Sequence, residues 1–152
     1  MQKKLPKIYL FIEDFIPSEL DILNKNISII FRNYKKTISE NKIVTLKIYC
    51  KSHKRELYLA NDIKRAIKHK LSGVYIPSFN KKLNINAFPL PKNFSILGSA
   101  HNQLEIKTKQ AQGCSLIFLA PLFKVNKKNN YFDITKFNLL ILNQKSKFIA
   151  LG

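Results

Sequence analysis

Short runs of consecutive apolar residues alternate along this chain with stretches in which apolar residues recur every three or four positions. Lys7 to Glu13 (KIYLFIE) and Ile27 to Arg32 (ISIIFR) are rich in β-branched and aromatic residues, as strands buried on both faces should be. Between them Pro17, Ser18 and Glu19 open a short helical segment, SELDILNKN, with Ser18 as its expected N-cap. Residues 37 to 53 start with Thr37 and Glu40 at capping-box spacing. They then bring Ile43, Leu46 or Lys47, and Cys50 to helical spacing, so a helix is expected in spite of the β-branched content. ELYLAND is the next strand, and in IKRAIKHKL the residues Ile63, Ala66, Ile67 and Leu71 share one helical face. Ser72-Gly73 ends that helix and VYIPS follows as a strand. After a proline-containing loop around Phe88 to Pro91 come FSILGSA, a polar helix from Asn102 to Gln112, and the run SLIFLAPLF. The helix-like DITKFNLLILNQ and the strand KFIALG close the series.

Seven strands, each followed by a helix until the last, imply an α/β fold with parallel pairing and right-handed crossovers. A closed (β/α) barrel and an open doubly wound sheet share this pattern, and periodicity alone does not choose between them. A length of 152 residues suits one domain, 1–152, and no linker or short-period repeat divides it. In FSILGSAHNQLE, Ser99 and His101 fall where a strand gives way to a helix, the place where α/β folds bind ligands.

Composition narrows the function classes. An apolar fraction of 45% is that of a globular chain. No apolar stretch reaches the roughly 18 to 20 residues of a membrane span, so no membrane partner is expected. The basic, apolar start runs straight into Glu13 and Asp14 without a small-residue cleavage site, and reads as a first strand and not a signal peptide. Cys50 and Cys114 lack metal-ligand spacing, so reduced packing thiols and a cytoplasmic location are expected. The net charge of +18 should attract anions. Its lysines are scattered through every segment, however, and only Arg32, Arg55 and Arg65 offer the bidentate fork that specific recognition uses. This argues against nucleic acid as the main partner, although a basic nucleic-acid-binding module stays open as the alternative from another class.

The order ELYLAND, SGVYIPS, ILGSAH, QGCSLIFLAPLF and KFIALG resembles the strand series of the thiamine phosphate synthase/TenI family, which are (β/α)8 barrels. That family carries an Asn-Asp after the third strand, Gly-Val-His-Leu-Gly-Gln on the fourth and Gly-x-Ser-x-His on the fifth. Gly-Ala-Asp and Gly-Pro-x-Phe-Pro-Thr follow on the sixth, and Ala-x-Gly-Gly on the seventh. IIFRNYKK is similar to its second-strand Gln-x-Arg-x-Lys, and the spacing from His101 to Gly113 agrees. The resemblance covers the whole chain and implies a TIM-type barrel binding phosphorylated thiazole or pyrimidine precursors of thiamine. The eighth β-α unit is expected to be missing or truncated, leaving strand edges to be covered by a helix or by a partner chain in a homo-oligomer.

Carried over residue by residue, the resemblance implies that Arg32 contacts the pyrimidine substrate's phosphates and that Asn61 and Asp62 are the Asn-Asp pair. Asp62 would then be a ligand for Mg2+. Ser99 and His101 become the candidate catalytic pair, Lys128 the lysine of the pyrophosphate loop, and Gly152 the start of the phosphate-binding turn. The synthase joins a pyrimidine diphosphate to a thiazole phosphate with magnesium drawing off pyrophosphate; the TenI branch tautomerises a thiazole phosphate carboxylate through its histidine, without metal. Ile30 and Tyr34 replace the glutamine and lysine around Arg32, Tyr75 the strand-four histidine, and Pro77-Ser78 the Gly-Gln after it. The second magnesium carboxylate falls on Asn80, a neutral and weaker ligand, and the loop threonines become Val125 and Lys127. Synthase, TenI-like tautomerase and non-catalytic phosphate-ligand binder all remain compatible with these residues. Taken alone, Asn61-Asp62 is a helix cap and Ser99 with His101 a turn serine and a surface histidine. His53 and His69 are expected in solvent, Tyr34 and Tyr75 in packing or at the rim, and Lys124, Lys127 and Lys128 in a loop at the ligand mouth.

Overall fold

In the computed structural model, residues 8–124 and 131–151 are described. The expected alternation of strand and helix is present. The strands are β1 (Tyr9–Ile12), β2 (Ser28–Phe31), β3 (Leu57–Ala60), β4 (Gly73–Ile76), β5 (Ser95–Ala100), β6 (Leu116–Leu119) and β7 (Lys147–Ala150). The helices are α1 (Pro17–Asp21), α2 (Glu40–Ser52), α3 (Ile63–Lys68), α4 (Gln103–Ala111) and α5 (Asp133–Ile141), with a 3-10 turn at Leu83–Ala87. Contacts group the chain into two compact units, one made of the residues up to Tyr75 with Leu90–Phe94, the other of Ile76–Pro89 and the residues from Ser95 onward.

In the first unit β1 to β4 pair in sequence order and in parallel, with Phe11 opposite Ile30, Ile30 opposite Tyr58 and Tyr58 opposite Gly73. β2 is buried along its length, which explains why SIIF carries no polar alternation. α2 lays Ile43, Leu46 and Cys50 into the core, the face its spacing marks out. Its N-cap is Ser39, whose hydroxyl accepts from the Lys42 N–H at 3.3 Å, so the cap lies two residues beyond the expected Thr37 and the Thr37–Glu40 box does not form. In α1 the expected cap Ser18 lies inside the helix, because Pro17 takes the first helical position where its missing N–H costs nothing. Arg55, 7% exposed, spreads its guanidinium over the carbonyls of Leu20, Leu23, Asn24 and Ile27 at 2.7 to 3.1 Å and so ties the turn after α1 to the start of β3.

In the second unit β5 to β7 are again parallel, with Ser99 opposite Phe118 and Phe118 opposite Ile149. β5 and β6 are buried throughout; β7 is only partly covered. The helix expected to be polar, α4, hides a lysine. Lys109 is fully buried, and its Nζ donates to the carbonyls of Pro77 and Asn80 at 2.7 Å each and to Gln112 Oε1 at 2.8 Å. Gln112 in turn donates from Nε2 to the carbonyls of Asn80 and Lys82 at 2.9 Å. All three ammonium protons are satisfied, and the segment after β4 is clasped onto α4. Gly98 makes room for this lysine: a Cβ there would meet Lys109 Cδ at 2.9 Å and Cys114 Sγ at 2.8 Å. Both cysteines are free and buried, as expected of packing thiols, and burial pushes each up to about 12.

Candidate functional site

Arg32, Asn61 with Asp62, and Ser99 with His101 each stand at or just beyond the C-terminal end of their own strand, the end at which TIM-type folds keep their chemistry. Arg32 follows β2 directly. Its guanidinium lies over the Phe11 ring, 4.7 Å from the centroid, with the Tyr34 ring at 5.8 Å, and Tyr75 packs edge-on against Phe11 at 5.1 Å. Among the described residues the guanidinium makes no hydrogen bond or ion pair, so its donors are unengaged above an aromatic seat. Tyr75 is buried and Tyr34 half exposed, the packing and rim positions expected of them.

Asn61 and Asp62 follow β3. Asn61 adopts a left-handed backbone, φ 60°, which asparagine tolerates better than most residues, and its N–H donates to the Tyr75 carbonyl at 2.7 Å. Asp62 caps α3: Oδ1 accepts the Arg65 N–H at 3.0 Å and Oδ2 pairs with Arg65 Nε at 2.7 Å. The guanidinium also donates to the Ile38 carbonyl at 2.6 Å. Asn80, in the second unit, turns its own Oδ1 onto the Lys82 N–H at 3.0 Å. These donors do not fit a magnesium site: one carboxylate is already neutralised by an adjacent guanidinium, the other donor is neutral, and a hard dication needs anionic oxygens. No group of three or more His, Cys, Asp or Glu side chains gathers anywhere among the described residues.

Two histidines depart from expectation. His69 is not solvated; its side chain is 12% exposed and Nε2 meets Glu40 Oε2 at 2.5 Å, where Lys68 Nζ also arrives at 3.0 Å. The cause is the short α3, whose C-terminal end comes back to the first turn of α2. His53 stacks on Tyr49, ring centroids 4.1 Å apart, and its Nδ1 lies 2.9 Å from the Tyr49 carbonyl.

The most developed arrangement is around His101. Ser99 lies in β5 and is buried, and His101 follows the strand with about half of its side chain exposed. Asn102 caps α4 by accepting the Glu105 N–H at 2.9 Å. The Glu105 carboxylate turns back, taking the His101 N–H at 2.8 Å and standing 3.0 Å from His101 Nδ1. A carboxylate only accepts, so Nδ1 carries the proton and the Nε2 lone pair of a neutral imidazole is left available as a base. His101, Asn102 and Gln103 border a cavity of about 410 Å³ whose other wall is Phe132, Lys136, Leu139 and Leu140 of the α5 region. Glu105, Phe132 and Lys136 were not singled out in sequence. Glu105 had a signal, since Asn102 and Glu105 stand at capping-box spacing and His101 and Glu105 at i,i+4. Of the remaining candidates, Lys128 and Gly152, like Val125 and Lys127, lie outside the described residues, and Lys124 is exposed.

Among the described residues no helix is long and apolar enough to cross a membrane. The sequence matches no known protein-family model and no curated protein. The fold is nevertheless similar to a solved structure, thiamine phosphate pyrophosphorylase from Pyrococcus furiosus, with a TM-score of 0.63 at 14% sequence identity. The similarity covers 83% of this chain and 61% of that protein, so the chain spans about three fifths of its relative's length. At that identity the likeness shows the fold alone, and the seven-stranded α/β arrangement is TIM-type, as the strand series implies.

Proposed function

We propose that this chain acts in thiamine biosynthesis as a binder of thiazole phosphate of the TenI-like kind, with His101 as its proton-transfer group. The observation that carries this reading is the His101–Glu105 pair at the end of β5, with the ring bordering a cavity. A tautomerisation takes a proton from one ligand atom and returns it to another. One imidazole near neutral pH performs both transfers, with Nε2 as the acceptor and then the donor and Glu105 steadying the imidazolium formed in between. Glu105 is thus a positioning residue. The fold's likeness to a thiamine phosphate pyrophosphorylase supports the pathway, and the engagement of Asp62 with Arg65 supports a metal-independent branch over the synthase. Arg32, with its unengaged guanidinium, is the first unit's own candidate for a phosphate oxygen.

Titration of the chain with thiazole phosphate and with the pyrimidine diphosphate, each with and without magnesium, tests the reading. Thiazole phosphate should bind irrespective of magnesium. His101→Ala should lower tautomerase turnover by about 10² to 10⁴, the usual contribution of a general acid–base group, and Glu105→Gln should lower it by less. Magnesium-dependent formation of thiamine phosphate that disappears in Asp62→Ala would make the chain a synthase instead.

A further inference from the structure

The thiazole phosphate reading leaves the second wall of the cavity unexplained. A phosphorylated heterocycle is small and strongly polar, yet the α5 side presents Phe132, Leu139 and Leu140, with Leu139 67% exposed. α5 buries none of its residues, although its sequence, DITKFNLLI, is the most apolar of the helices. One positive charge interrupts this wall. Lys136 lines the cavity, and its ammonium has no hydrogen-bond or ion-pair partner among the described residues. Asp133 Oδ1 accepts the Lys136 backbone N–H at 2.9 Å without pairing with its ammonium, and Glu105 holds His101.

We infer that the cavity between the start of α4 and α5 binds a small amphiphilic anion, a ligand with an apolar body against Phe132, Leu139 and Leu140 and a single carboxylate or phosphate head on Lys136. A cavity of about 410 Å³ is of the size that holds small-molecule ligands. The apolar wall supplies affinity without direction, and the lone ammonium supplies orientation and rejects cations. The site shares His101 with the function proposed above but does not depend on thiazole chemistry.

Octanoate is the probe, with octylamine as the cationic control of equal apolar length, titrated calorimetrically against the full chain. Octanoate should bind and octylamine should not. Lys136→Glu should weaken octanoate by at least about tenfold, the equivalent of one lost charged contact. Leu140→Asp should do the same from the apolar side, and circular dichroism of both variants checks the fold. Both residues lie toward the surface, and should Leu140→Asp fail to fold, Lys136→Glu alone decides. Octanoate binding that is absent, unchanged in Lys136→Glu, or matched by octylamine overturns the inference. Since the probe contains no thiazole, such a failure leaves the His101 reading standing, whereas loss of thiazole phosphate binding with octanoate binding intact overturns that reading alone.

Discussion

A lysine in a helix that reads as polar is ordinarily a solvated residue, and Lys109 shows why residue type alone misleads. Its stem runs past Gly98 and its ammonium meets three acceptors, so the cost of burying the charge is offset by charge-assisted bonds. Burial nevertheless pulls its pKa below the ordinary lysine value. Lys109→Ala should destabilise the chain by on the order of 3–5 kcal/mol, since it opens a cavity and strands the Pro77 carbonyl and Gln112 Oε1. Lys109→Met keeps the stem and should cost less, and Gly98→Ala, which drives a methyl into the same stem, about 1–3 kcal/mol. Urea unfolding measures all three; equal stability of Lys109→Ala and wild type would show that the clasp contributes nothing.

Between elements, charged side chains join segments that no local pattern links. Arg55 closes the turn after α1, and Glu40 in the first turn of α2 collects Lys68 and His69 from the end of α3. Hydrogen bonds from Lys68, and then from His69, hold the Glu40 carboxyl below its usual pKa. A depressed folded-state pKa means that this contribution to stability is present above the unfolded carboxylate pKa and is lost as pH falls through the lowered one. Glu40→Gln should therefore melt below wild type at neutral pH, with the gap closing in acid. A gap that stays constant across that window would remove the ion pairs from the account. Elements at the margins of the pairing differ from those inside: β7 and α5 are only partly covered, while β2, β5 and β6 are buried end to end.

At the scale of the whole molecule the net charge of +18 dominates long-range behaviour. The lysines appear in every segment and the three arginines are distributed among roles: Arg55 and Arg65 bind carbonyls or carboxylates within the fold, while the Arg32 guanidinium makes no hydrogen bond or ion pair among the described residues. Binding to a polyanion such as a random RNA should therefore be non-specific, with affinity falling steeply as salt rises to a weak Kd of about 10⁻⁴–10⁻⁶ M near physiological ionic strength. Sequence-selective binding that survives that salt, measured by fluorescence anisotropy, would favour a nucleic-acid module over a small-molecule protein.

The apolar pattern by itself determined the seven strands, the helices between them and the α/β class, because a strand buried on both faces needs an unbroken apolar run and an amphipathic helix a period near 3.6. It also located Arg32, Asp62, Ser99 and His101 at or just beyond strand ends, since each follows or ends such a run. Helix starts were less legible: Ser39 and Pro17, not Thr37 and Ser18, open their helices, because neighbouring residues compete for one capping position. What the charged groups do was decided by tertiary structure alone. His69 meets Glu40 across 29 positions and Lys109 meets the Pro77 carbonyl across 32, distances over which periodicity carries no information. The cavity beside His101 belongs to the same class, because its apolar wall and its lysine, Phe132 to Leu140, come from the α5 region much further along the chain, and only folding sets them around one imidazole.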